Sequence, residues 1–263
     1  MDIITRNFFR LLSAGAFGEM EPLEPMSIFK WNKLAKMVKA QDVVVFAYNG
    51  VRRYAEQIPS ASDLSTLTVS EEDTRAEITT ELSNSIFNKR LKKIREAEHH
   101  AIDTSTETLH VLDIIVANQN NILDKGLSLN LVLHLGSFLR KQGDKVDFIK
   151  LDKWLANTHL ESFAELIGNI LIYVFKFSQE ELPFVHRLIP NAYVLTMKSV
   201  SKTTPFVAAT WNFKQNKAGM VSSNSSGVWR SINRNKSFVP YAPVETVSNF
   251  FKNLTRGLSE IDE

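Results

Sequence analysis

The stretch SLNLVLHLGSFLRKQGDKVDFIKLDKWLANTHLESFAELIGNILIYVFKF, residues 128–177, decides the fold. Its apolar residues recur every three or four positions, which places them on one face of an α-helix. Ser128 is a candidate N-cap for a leucine-rich helix that Gly143 ends, and Asp147 is a candidate N-cap for the next helix. A third helix is predicted over residues 160–177. Because leucines surround the first of these helices almost completely, we expect it to be central and buried.

The same spacing predicts helices before this stretch. A second helix of the chain begins near Pro25 and carries Ile28 on its inward face, and a third covers residues 44–54. A long fourth helix is predicted over residues 70–97, with Ile86 on its apolar face. The first helix is amphipathic, and its inward residues are Ile3, Phe8, Leu11 and Leu12.

Local signals mark two further helix ends. Thr104 and Glu107 have the spacing of a capping box, in which the hydroxyl accepts a first-turn N–H and the glutamate accepts the N–H of the cap residue. The helix that begins there carries apolar residues as far as Leu123, and Gly126 is predicted to stop it in a left-handed conformation. After Pro190 the pattern weakens, with helices predicted over residues 192–202, 228–232 and 244–258.

These helices predict a mainly all-α fold, a multi-helix bundle with a less regular C-terminal segment. The predicted parts are N-terminal helices (1–57), a polar linker (58–73), a central helical bundle (74–183) and a basic C-terminal segment that packs on the bundle (184–263). Only ten glycines and eight prolines occur among 263 residues, which argues against a turn-rich β-sandwich or barrel. If the leucine-rich helix is not covered within one chain, a homodimer is expected.

Composition limits both the compartment and the chemistry. The absence of cysteine excludes disulfides, thiolate metal sites and cysteine nucleophiles, and it fits a reducing compartment. The longest mainly apolar stretch, residues 166–175, is shorter than the roughly 20 residues that span a bilayer. We therefore expect a cytoplasmic protein with no membrane partner.

The net charge of +2 conceals an uneven distribution. Residues 184–256 contain ten basic residues and one acidic residue, a net charge of +9, so the rest of the chain carries −7. Clustered Lys and Arg side chains bind phosphates or nucleic acid, or they dock on an acidic part of the same chain, and both alternatives stay open. The candidate ligands for an anion are Lys214, Lys217, Arg230, Arg234 and Lys236.

Motifs for catalysis are missing from the sequence. No glycine-rich phosphate loop and no Gly-x-Ser-x-Gly motif occurs. Gly136 and Ser137, followed by Asp144 and Asp147, do not match a nucleotidyltransferase site, because such a site holds its metals with Asp-x-Asp on one strand. We therefore predict no catalytic residue and no cofactor.

Histidines are the remaining candidates for a metal site. The histidines and acids that lie close together in sequence are His99, His100, His110, Glu96, Glu98 and Asp103. Neighbouring residues of a helix point about 100° apart, so His99 and His100 cannot both face one ion. We predict no metal site there, and we interpret His134 and His159 as core or capping residues.

Several stretches resemble a family, the uncharacterised nucleotidyltransferases common in Bacteroidetes. NFFRLLSAGAFG (7–18) and WNKLAKMVKAQDVVVFAYNGV (31–51) are similar to the opening helices of that family. Residues 128–184 resemble its helical tail, and weaker similarity continues through WNF (211–213) and YAPVETVSNFF (241–251).

The resemblance also shows what the chain lacks. The family places a small α/β core, with Lys-Gly, Arg and an Asp-Ile-Asp-type strand, between its early helices and its tail. Here the long helix predicted to end near Ala97 is separated from the next helix only by EHHAIDTST (98–106), which is too short for the core. The resemblance therefore implies a pseudoenzyme, a noncatalytic helical binding or interaction protein with an anionic ligand or a protein partner. One alternative is a divergent nucleotidyltransferase that acts on a nucleotide and binds magnesium through Glu96, Glu98 and Asp103. A second alternative is a nucleic-acid-binding module.

Overall fold

A computed structural model describes residues 1–70, 79–102, 104–201, 213–215, 221–223 and 236–259 of the chain. These residues fold mainly into α-helices, which confirms the predicted all-α multi-helix bundle. The helices are α1 (Ile3–Phe17), α2 (Ile28–Ala40), α3 (Val44–Arg53), α4 (Ser85–His99), α5 (Thr106–Lys125), α6 (Asn130–Gln142), α7 (Phe148–Thr158), α8 (Glu161–Phe175), α9 (Asn191–Val200) and α10 (Pro243–Ser259). An antiparallel hairpin pairs β1 (Phe213–Gln215) with β2 (Val221–Ser223). Within the described ranges, no helix is long and apolar enough to cross a membrane.

Side chains and glycines fix several helix ends. α1 begins where the Asp2 carboxylate accepts a first-turn N–H at 2.8 Å, and it ends at Gly18, whose φ of +79° favours glycine. α7 begins where the Asp147 carboxylate accepts the N–H of Lys150 at 2.9 Å. α6 ends at Gly143. The predicted cap at Asp147 and the predicted end at Gly143 are therefore confirmed.

A continuous hydrophobic core joins the helices. At its centre α6 packs against α1, α5 and α8. The buried apolar side chains of α6 are Leu131, Val132, Leu133, Leu135 and Leu139. The leucine-rich helix is thus central and largely buried, as its sequence predicts.

α1 and α3 approach each other so closely that their backbones touch. A Cβ at Gly15 would lie 1.9 Å from the carbonyl oxygen of Phe46, and a Cβ at Gly50 would lie 2.3 Å from the carbonyl oxygen of Leu11. Both distances are far below van der Waals contact, so neither position accepts a side chain without movement of a helix. This contact holds the C-terminal end of α1 beside α3.

The fourth helix is shorter than predicted. Ser70 and residues 79–84 are not helical, and α4 begins only after them. The Asn84 side chain accepts two N–H groups of the first turn, so it caps the helix there. Ile86 and Ile28, both predicted to face inward, are 61% and 47% exposed, because each lies in the first turn of its helix beyond the reach of the core.

Two predicted caps are wrong. Thr104 does not cap α5, since its hydroxyl donates to a carbonyl of the preceding turn and Glu107 accepts from a neighbouring hydroxyl. Ser128 does not cap α6, and its hydroxyl accepts from the side-chain amide of Asn121. Gly126 ends α5 with the predicted positive φ, +93°, but its ψ of 174° is extended rather than helical.

The described C-terminal residues contact the helical body. Phe238 and Ala242 are buried in the core. The buried carboxylate of Glu245, in α10, accepts the N–H groups of Ser83 and Asn84 at 2.9 and 3.0 Å. The helix predicted over residues 228–232 lies outside the described residues, and the division of the chain into four parts stays a prediction.

Candidate anion-binding cleft

The five predicted anion ligands belong to the part of the chain that is least described. The backbone of Lys214 lies in β1, and Lys236 is exposed in the turn before α10. Lys217, Arg230 and Arg234 lie outside the described residues. Their role as a common anion site therefore stays a prediction.

Of the three acids assigned to an enzyme, Glu96 is exposed on α4 and Glu98 makes structural contacts. Its side chain is buried, and its carboxylate accepts from the Lys150 ammonium at 3.0 Å and from the N–H of Ser105. These contacts tie the end of α4 to the starts of α5 and α7. Asp103 lies outside the described residues. The described part of the chain contains no group of three His, Asp or Glu side chains that could hold a metal ion.

The histidines take up separate positions. The rings of His99 and His100 meet edge to face, with centroids 5.5 Å apart. His159 is the C-cap residue of α7, with φ at +57°, so its interpretation as a capping residue is confirmed. His134 is exposed and its ring contacts the edge of Phe46, so its interpretation as a core residue is wrong. It lies on the outward side of α6. The leucines on either side of it in the sequence wrongly suggest that this position is also buried.

An open cleft of about 610 Å³ lies where α1, α3 and α6 meet. Residues 15–18, at the C-terminal end of α1, form one side. Asn49, Arg52 and Arg53 of α3 form the second side, and Lys141 of α6 forms the third. We refer to this cavity as the basic cleft.

The glycine contact between α1 and α3 places the arginines at the cleft. Because Gly15 and Gly50 let the two backbones touch, the last turn of α1 comes within reach of the arginine side chains of α3. A Cβ at Gly18 would lie 3.7 Å from Nη1 of Arg53, so this guanidinium lies over the end of α1. Positive side chains at this point also oppose the negative end of the α1 dipole.

Arg140 fixes the third side of the cleft. Its guanidinium pairs with Glu19 and Glu181, and it lies 4.0 Å from the ring centroid of Phe177 and 4.8 Å from that of Phe17. These contacts hold the end of α6 against the end of α1. Lys141, the next residue, faces the cleft instead.

The cleft carries positive charge without a compensating acid. Arg52, Arg53 and Lys141 are exposed, and no carboxylate lines the cavity. Among the residues that the structure describes, none of these three cations forms an ion pair with an acid, whereas Arg140 and Arg10 do. A concave surface lined by cations alone attracts anions, and two guanidinium groups supply paired donors for a phosphate or carboxylate.

Sequence reasoning missed this cleft. Arg52 and Arg53 stand next to each other, but the pattern of α3 gives them no role beyond its polar face. Lys141 lies far from them in sequence and belongs to a charged helix end. A weak signal was present in the doublet of arginines without a nearby acid on the same helix.

Comparison with known proteins identifies no relative: no family model matches the chain, and no curated protein and no solved structure shows significant similarity to it. The resemblance to nucleotidyltransferase helices therefore stays a prediction.

Proposed function

We propose that this chain is a noncatalytic helical binding protein that holds an anionic ligand in the basic cleft. The observation that supports this function is the convergence of Arg52, Arg53 and Lys141 on one cavity that no carboxylate lines. The relation to nucleotidyltransferases, taken from the resemblance of the helices, is part of the same proposal.

A purely structural role accounts for part of this arrangement. Each cation lies in the last turn of its helix, where positive charge stabilises the helix end by about 0.3–1 kcal/mol. That role requires each cation only at its own helix end. It does not require cations of two helices to line the same cavity, and binding of an anion does.

The chemistry of the lining residues supports binding rather than catalysis. General acid–base catalysis is carried out most often by a His, Asp or Glu side chain. The residues that line the cleft include none of these types. Glu98, one of the three acids assigned to a magnesium-dependent enzyme, is engaged by Lys150 and Ser105.

A charge-removal experiment tests the proposal. Inorganic pyrophosphate serves as the probe, and isothermal titration calorimetry at low salt measures its dissociation constant. We expect the double variant Arg53→Gln/Lys141→Gln to weaken binding at least tenfold. The matched control is Lys153→Gln, which removes an equally exposed lysine of α7 and should leave the dissociation constant unchanged.

Three outcomes contradict the proposal in different ways. Equal binding by the wild-type protein and the double variant excludes the basic cleft as the site. Loss of binding only when Lys214, Lys217, Arg230, Arg234 and Lys236 are replaced by Ala places the site in the C-terminal segment. Release of pyrophosphate from a nucleoside triphosphate in the presence of magnesium supports the enzyme alternative.

A further inference from the structure

The α1 side of the basic cleft provides hydrogen-bond acceptors, in addition to the cations on its other two sides. A helix leaves its last four carbonyl groups without intrahelical partners. In α1 the carbonyl of Ala14 accepts the N–H of Gly18 at 3.1 Å. No backbone N–H of the described residues donates to the carbonyls of residues 15–17, and these residues line the α1 side of the cleft.

These carbonyls repel a bare anion. They form the negative end of the α1 dipole, so this part of the cleft favours hydrogen-bond donors. Arg52, Arg53 and Lys141 favour negative charge in the same cavity. A ligand that satisfies both parts carries an anionic group at one end and neutral donors, such as hydroxyl groups, at the other. The amide of Asn49, which both donates and accepts, suits the same groups.

The aromatic ring at the cleft is not available to stack on a base. Phe17 contacts the rings of Phe175 and Phe177 edge to face, at 5.7 and 5.2 Å, and the Arg140 guanidinium lies over it. Nucleic-acid-binding surfaces use free aromatic faces beside a row of cations along an extended groove. Here the cations stand on two sides of one cavity, and its volume is typical of small-molecule sites, roughly 300–1,000 Å³.

We propose that the ligand of the basic cleft is a small phosphorylated polyhydroxy compound, with its phosphate on the Arg52, Arg53 and Lys141 side and its hydroxyl groups on the carbonyls of residues 15–17. This inference rests on the proposed function, because it assumes that the cleft binds an anion. It adds that hydroxyl groups, rather than a base, contribute the remaining affinity.

Matched phosphate esters test the inference by titration calorimetry. Glycerol 3-phosphate and n-propyl phosphate have the same carbon number and the same phosphate, and only the first carries hydroxyl groups. We expect glycerol 3-phosphate and glucose 6-phosphate to bind at least tenfold more tightly than n-propyl phosphate, and free glucose to give no heat.

The outcomes separate this inference from the proposed function. If n-propyl phosphate binds as tightly as the sugar phosphate, and both lose binding in Arg53→Gln/Lys141→Gln, the hydroxyl inference is overturned and anion binding stands. If uridine monophosphate binds tenfold more tightly than either sugar phosphate, a base is recognised and the inference is overturned. If pyrophosphate binds to the wild-type protein but no phosphate ester does, this inference is overturned and anion binding stands; if neither pyrophosphate nor any ester binds, both proposals fail. Circular dichroism checks that each variant is folded.

Discussion

The contact of α1 with α3 and the contact of α10 with α4 are formed by different parts of the chain. α1 meets α3 through backbone, with Gly15 and Gly50 lying against carbonyl groups of the other helix. α10 meets α4 through a side chain, because the buried Glu245 carboxylate accepts two N–H groups at the start of α4. The first contact depends on the absence of side-chain atoms, and the second depends on two hydrogen bonds accepted by one side chain.

The difference extends to the faces that the helices present. α1 buries apolar side chains, as an amphipathic helix normally does. In the part of α10 whose side chains the structure describes, residues 243–252, Glu245 and Asn249 are buried, while Val247 and Phe251 are 55% and 57% exposed. The start of this helix is thus held by polar side chains, one of which accepts N–H groups at the start of its neighbour.

The largest expected effect comes from filling the backbone contact. Gly50→Ala places a Cβ 2.3 Å from the carbonyl oxygen of Leu11, so α1 and α3 must separate. Overpacking of this kind costs about 3 kcal/mol, and urea denaturation should show the free energy of unfolding reduced by that amount. The control is Gly143→Ala, whose Cβ meets no atom within 4 Å and which should unfold at the same or a higher urea concentration.

Equal unfolding midpoints for the two alanine variants would contradict the close approach of α1 and α3. Gly50→Ala also tests the basic cleft, because separation of α1 from α3 moves the α1 side of the cavity away from Arg53. Gly50→Ala should therefore also weaken pyrophosphate binding, although residue 50 does not line the cleft.

A smaller loss is expected at the polar contact. Glu245→Ala leaves the N–H groups of Ser83 and Asn84 without their acceptor, which costs about 2 kcal/mol by the same denaturation measurement. Val247→Ser changes the exposed side of the same helix and should alter the free energy of unfolding by less than about 0.5 kcal/mol. A larger effect of the valine substitution would indicate that another surface covers this face of α10.

The smallest effects are expected in the pH dependence, where the two regions should respond with opposite signs. Hydrogen bonds and charge from Arg6 lower the pKa of Glu24, beside α1, to about 2. Its contribution to stability is therefore lost as the pH falls from 4.5 towards 2. Burial raises the pKa of Glu245 above its usual 4.5, although the N–H groups of Asn84 and Ser83 oppose the shift. Its folded state favours the neutral acid, so its contribution declines as the pH rises through that raised pKa.

Unfolding free energies measured from pH 2 to pH 7 should separate these contributions. Glu24→Gln should reduce the decrease in the unfolding free energy as the pH falls from 4.5 towards 2. Glu245→Gln should flatten the decline that follows at higher pH, and a parallel response of both variants would contradict the opposite environments of the two carboxylates.

Local rules in the sequence predict local structure in this chain. The spacing of apolar residues predicts the helical class, and Asp147 and Gly143 act at helix ends as short-range hydrogen bonding requires. The predicted cap at Ser128 is wrong, because its hydroxyl accepts a hydrogen bond from the side-chain amide of Asn121 instead. The prediction that Ile86 faces inward is wrong, because periodicity identifies the apolar face of a helix but not how much of its length other residues cover.

The basic cleft was beyond sequence reasoning for a different reason. Its cations come from α3 and α6, and only the packing of both helices on α1 brings them together. Gly15 and Gly50 decide that packing, yet a glycine inside a helical pattern does not reveal which backbone approaches it. The charge excess near the C-terminus is visible in the sequence and led attention to Lys214 and its neighbours instead.

The glycine contact also has a consequence for the order of folding. All of its atoms belong to residues 11–50, so α1 and α3 can associate as soon as these residues are free to fold. These contacts close loops of 31 and 39 residues, whereas Lys141 lies 91 or more positions from every residue of the contact, and closing the shorter loops loses less chain entropy. Lys141 and the Arg140 contacts arrive only when α6 docks on this pair. We therefore expect the affinity for the ligand to appear as a late event in refolding, after the arginine side of the cleft is already in place.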